Sequence, residues 1–95
     1  GQIPLDAKTG AIVGSSITDQ AHQVLKNLSA VLQEAGSGMD KVVKTTCFLA
    51  DMQDFAPFNE VYAQYFTGKP ARSCVAVRTL PKNVLVEVEC IAVVE

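Results

Sequence analysis

The run at residues 84–94 constrains the fold more than any other stretch of this chain. Read as a strand, it presents Val84, Val86, Val88, Cys90, Ala92 and Val94 on one side. The other side carries Leu85, Glu87, Glu89, Ile91 and Val93. Both sides are largely apolar, so both need a cover. A chain of 95 residues is a single domain and has little else to cover them with. Two helices can cover one side of a small sheet. The other side is then expected to pack on a second subunit.

The helices are legible. Ser16 is an N-cap, and Asp19 three residues later completes a capping box. Ile17, Ala21, Val24, Leu25, Leu28, Val31, Leu32 and Ala35 follow at spacings of three and four, a single apolar stripe. Gly36 stands where a helix terminates. The β-branched run 42–49 reads as a strand. Asp51 or Asp54 then caps a second helix over 55–66, with Pro57 tolerated in its first turn. Its stripe is Phe55, Phe58, Val61, Tyr62, Tyr65 and Phe66. Gly68-Lys69-Pro70 breaks the chain before a strand at 71–77. At the start, residues 1–3 read as the end of a strand. Asp6-Ala7-Lys8-Thr9-Gly10 reads as a hairpin connection leading to Ala11-Ile12-Val13. The order predicts an α+β sandwich of two layers, two helices on one face of a mixed sheet, with a ferredoxin-like arrangement as the default.

Composition removes several functions. Apolar residues make up 48% and charged residues 19%, a globular balance. The formal net charge is −2 with no basic cluster, which argues against a nucleic-acid partner. No apolar run is long enough to span a membrane. The cysteines Cys47, Cys74 and Cys90 are odd in number and lack CxxC spacing, so neither a disulfide framework nor a zinc site is expected. His22 is the only histidine, which excludes a multi-histidine metal site. It falls off the apolar stripe and reads as solvated.

The segment Pro70-Ala71-Arg72-Ser73-Cys74-Val75 places an arginine in an apolar strand. Two readings are open. Arg72 is a surface residue salt-bridged to Glu87 or Glu89, or its planar fork reaches a pocket and grips a carboxylate. Glu87 is likewise a rim residue or an acid–base group. Cys74 has no activating base nearby in sequence and reads as a packing residue. Gly36-Ser37-Gly38 reads as a helix stop before a phosphate loop. The aromatic stripe of the second helix reads as core.

Several segments taken together resemble the RidA/YjgF family of reactive-intermediate deaminases, also called the endoribonuclease L-PSP family. They are Gly1-Gln2-Ile3-Pro4, Val42-Val43-Lys44-Thr45-Thr46, Asn59-Glu60-Val61-Tyr62, Pro70-Ala71-Arg72-Ser73-Cys74, Leu80-Pro81-Lys82 and Val86-Glu87-Val88-Glu89-Cys90-Ile91-Ala92. The resemblance runs through the whole chain in order. It implies a chorismate-mutase-like fold, a homotrimer with sites between subunits, and a single domain over residues 1–95 that lacks the family's first strand. It implies hydrolysis of enamine and imine intermediates, such as 2-aminoacrylate, 2-iminopropanoate and 2-iminobutanoate, to 2-oxo acids and ammonia without a cofactor or metal; the alternative is a small-carboxylate-binding or regulatory member without turnover, with an endoribonuclease or translation inhibitor less favoured. The compartment implied is the cytoplasm, or the mitochondrial matrix if a targeting segment is removed.

Carried over by position, Arg72 matches the residue that binds the substrate carboxylate, and Glu87 the one that activates water. Gly1 and Cys74 match pocket-lining positions, Asn59 a polar residue near the cleft, and Phe55 an aromatic position. The loop Thr67-Gly68-Lys69 is shorter than in many members and lies close to the arginine.

Overall fold

The long amphipathic stripe becomes α1, Ile17–Glu34. Its start is fixed by Ser16, whose side chain accepts a hydrogen bond from the Asp19 N–H. Its end is a Schellman motif. Gly36 N–H donates to Gln33 O and Ser37 N–H to Leu32 O, with Gly36 at φ +83°. Four further elements follow in the computed structural model, which describes residues 1–94: β1 Val42–Leu49, α2 Phe55–Tyr65, β2 Ala71–Ala76 and β3 Val86–Ala92.

The strands form one mixed sheet in the order β2-β1-β3. β1 runs parallel to β2 and antiparallel to β3. Both helices pack on one face, so the fold is the α+β sandwich expected. The core lies between the layers and is built from Val24, Leu25, Phe58, Leu49, Val86 and Val88, all fully buried. Alternation along β1 sets which side chains enter it. Thr45, Cys47 and Leu49 point to the helices and are fully buried, while Thr46 and Phe48 point away. The opposite face is open on the single chain. Val75 and Ile91 stand on it, the latter 65% exposed.

Several expectations are corrected in detail. The last strand is Val86–Ala92 and not 84–94, because the 3₁₀ turn Pro81–Asn83 delivers the chain late. Ahead of the strand, Leu85 N–H finds the Gln20 side-chain oxygen of α1 at 2.8 Å in place of a strand partner. Asp51 caps the short 3₁₀ turn Met52–Asp54 by accepting from Gln53 N–H, while Asp54 precedes α2 without a side-chain cap. Val31 leaves the stripe and is exposed. His22 is not solvated. It is half-buried, its Nδ1 lies 3.0 Å from Tyr65 Oη, and the two rings meet edge-on, which joins α1 to α2.

The start of the chain is strand-like, as read. Gln2 and Val88 exchange two backbone hydrogen bonds along the outer edge of β3. The hairpin that follows closes through Leu5 and Ile12. The Asp6 carboxylate accepts from the Lys8 and Thr9 N–H groups, which holds its pKa below the ordinary value.

Phe58→Ala is expected to remove about 3–5 kcal/mol of stability, since Phe58 sits where both layers meet. Ser16→Ala is expected to cost about 1 kcal/mol through the lost cap. Urea unfolding followed by circular dichroism checks both values.

Candidate functional site

Arg72 is the second residue of β2, opposite Thr45 in the register. It therefore points to the helix side, at the free edge of the sheet. α2 meets it there with Phe55, Asn59 and Tyr62, and Phe66 follows at the helix end. Spacings of four and three residues put the first three on one side of the helix. The Arg72 guanidinium carbon lies 4.6 Å from the Tyr62 ring centroid and 5.3 Å from that of Phe55. Its Nη1 donates to Asn59 Oδ1 at 2.6 Å. Each cation–π contact contributes about 0.5–2 kcal/mol. Only one of the five guanidinium N–H groups is taken by Asn59, and the fork opens on a cleft of about 630 Å³.

Tyr62 is itself held. Its hydroxyl shares a 2.7 Å hydrogen bond with Thr45 Oγ1, which is fully buried. Phe66 packs against it at a tilt of 34°, with ring centroids 4.6 Å apart. Burial pushes the Tyr62 phenol above its ordinary pKa, so it stays neutral under the cation. Tyr62 and Thr45 were not among the expected site residues. Their signal was the spacing that places Tyr62 three residues after Asn59, masked because an aromatic in a helical stripe reads as core.

Cys74 follows Arg72 by two positions and shares its side of the sheet, in register with Cys47. Burial raises the Cys74 thiol and takes Cys47 up to about 12. Both are therefore thiols at neutral pH, which suits packing and not nucleophilic attack.

Glu87 lies elsewhere. It sits on β3 opposite Phe48, three positions along β1 from Thr45, so alternation turns it to the open face. The two strands carrying Arg72 and Glu87 are also separated by β1. The salt bridge from Arg72 to Glu87 or Glu89 is therefore excluded within one chain. Gly1 joins Glu87, because the Gln2–Val88 pairing lays the chain start beside it. A Cβ at Gly1 would run into Glu87 Oε2. The expected site residues thus form two groups: Arg72, Asn59, Phe55 and Cys74 on the helix side of β2, and Gly1 with Glu87 on the open side of β3.

Among the described residues no group of three or more His, Cys, Asp or Glu side chains is placed to hold a metal ion. No described helix is long and apolar enough to cross a membrane. Gly36-Ser37-Gly38 forms the helix stop, with the Ser37 hydroxyl donating to Val93 O.

Two helices on a mixed three-stranded sheet, with an arginine clamped at its edge, define a small α+β domain with a cleft beside that arginine. The chain belongs to the endoribonuclease L-PSP family, whose model matches residues 1–94. A RutC family protein of Synechocystis is 59% identical over 96 aligned positions, spanning 98% of this chain and 74% of the relative. The mitochondrial protein MMF1 of Saccharomyces cerevisiae is 51% identical, spanning 98% of this chain and 64% of its own length. The structure of Escherichia coli TdcF with bound serine is 43% identical and superposes with a TM-score of 0.93, covering all of this chain and 77% of that one.

Thr45→Val is expected to destabilise the chain by about 1–3 kcal/mol, because it leaves the Tyr62 hydroxyl unpaired. Adding Tyr62→Phe is expected to recover part of that loss, read as a coupling in a double-mutant cycle. The raised Cys47 pKa has a pH signature. The neutral thiol is favoured by folding, so its contribution is complete below about pH 9 and is lost as pH rises toward 12. The urea midpoint is expected to fall above pH 9, and less steeply in Cys47→Val.

Proposed function

We propose that this chain is a subunit of a homotrimer that hydrolyses imines of small 2-amino acids to 2-oxo acids and ammonia. The observation that carries this reading is the Arg72 fork, stacked on Tyr62, tied to Asn59 and open to a cleft. Such a fork matches the carboxylate that every 2-imino acid carries beside its reactive carbon. A relative with bound serine supports a small ligand that carries a carboxylate.

Arg72 and Glu87 cannot meet within one chain, so the complete site needs two copies. In the proposed trimer the open face around Glu87 packs near the β2 edge of the next copy. A head-to-tail contact of this kind closes into a ring. It also covers the exposed apolar side chains Val75 and Ile91 on that face. Gly1 then lines the pocket from the Glu87 side, and Cys74 and Phe55 from the Arg72 side.

The imine carbon is already electrophilic, so no strong nucleophile is needed. Arg72 fixes the carboxylate and orients the carbon, which is catalysis by positioning. Glu87 takes a proton from water as the oxygen adds to the carbon. The C=N double bond becomes a C–N single bond, and Glu87 passes that proton to the nitrogen, which gives a neutral carbinolamine. Glu87 then takes the carbinolamine hydroxyl proton and passes it to the nitrogen, the C–N bond breaks, and ammonia leaves as the carbonyl forms. The atoms balance as imine plus water giving 2-oxo acid plus ammonia, and the chemistry calls on no cofactor or metal.

The test is coupled turnover. A pyridoxal-phosphate dehydratase releases 2-aminoacrylate from serine, and disappearance of the imine is followed with and without the chain. Acceleration is expected, falling at least about 100-fold in Arg72→Ala and in Glu87→Gln. Saturable binding of pyruvate without acceleration would replace the enzyme by a carboxylate-binding module. Sedimentation at micromolar concentration is expected to give three times the 10.1 kDa chain mass, and Ile91→Glu to give the monomer.

A further inference from the structure

The Arg72 cleft contains a second cation. Lys69 lines it together with Asn59, Tyr62, Phe66, Pro70 and Arg72, and no lining residue is acidic. On the single chain the cleft measures about 630 Å³.

Lys69 is placed by its backbone. It adopts φ +54°, a left-handed conformation that a residue with a Cβ holds only at some cost. Its N–H is directed to Phe66 O at the end of α2, and the rigid Pro70 follows it into β2. Two residues separate Lys69 from Arg72, a span of three Cα steps, so their Cα atoms are at most about 11 Å apart. Two long cationic side chains springing from points that close can engage both ends of one short dianion. An unneutralised pair of cations over an aromatic floor is costly for an apolar ligand and favourable for a doubly charged one.

We propose that this cleft selects 2-imino acids, and the corresponding 2-oxo acids, that carry a second carboxylate at the end of a short side chain. Arg72 holds the carboxylate beside the imine carbon, and Lys69 holds the distal one. For turnover the proposal rests on the deaminase reading above; for binding it does not. The hydrolysis is the same reaction, with a 2-oxo dicarboxylate as product.

Two measurements separate this proposal from the deaminase reading. Calorimetry compares 2-oxoglutarate with pyruvate on the full chain, its Lys69→Ala variant and its Lys69→Glu variant. 2-Oxoglutarate is expected to bind about tenfold more tightly than pyruvate. That preference is expected to shrink in Lys69→Ala and to vanish in Lys69→Glu. Equal or weaker binding of 2-oxoglutarate, no binding of either acid, or a preference that survives Lys69→Glu would overturn the proposal. Turnover then compares the imine made by oxidising glutamate with the imine of alanine. Selective binding without turnover of either imine would sink the deaminase reading and leave this one standing. Turnover of the alanine imine with no Lys69-dependent preference would do the reverse.

Discussion

Everything about the candidate site depends on the alternation of side chains along β1. This strand lies in the centre of the sheet, so its two faces become the two environments of the molecule. Thr45 on the helix side fixes Tyr62, and Tyr62 underlies Arg72. Phe48 on the other side marks the face on which Glu87 stands. A slip of one residue in either pairing would exchange these faces and bring the wrong side chains to the edge. Register therefore governs chemistry here as much as it governs packing.

The arginine is held on its helix side by the chain's own groups. Two aromatic rings and one amide hold it, and a buried hydroxyl pair orients the closer ring. Such a guanidinium gives up little side-chain entropy on binding an anion, and its remaining donors lie in a preset plane. The cysteines nearby complete the packing as neutral thiols, because burial makes their ionisation unfavourable.

Much of this was legible in the residues. The Ser16 cap, the Gly36 stop and the bounds of β1 follow from local chemistry acting over a few positions, and they stand where they were read. Boundaries failed where a distant group intervened. The strand at 86–92 starts late because Gln20, 65 residues away, takes the Leu85 N–H. His22 was read as solvated because Tyr65, 43 residues on, is invisible in its own window. Arg72 was singled out by its rarity in an apolar strand, yet both a surface salt bridge and a pocket fitted that pattern. Tyr62 was hidden for the opposite reason, since core and site use the same ring.

By itself the sequence determined the elements, their order, the layer that the helices cover, and the arginine and glutamate that stand out in its apolar strands. Periodicity and capping are local, and a short chain with a two-sided apolar strand has few ways to satisfy them. Only the tertiary structure decided that Arg72 and Glu87 lie on opposite faces of the sheet, and that Lys69 lines the same cleft as Arg72. The physical reason is that strand order, register and loop conformation arise from contacts between residues far apart in the chain. No local pattern encodes which of several compatible pairings closes the core.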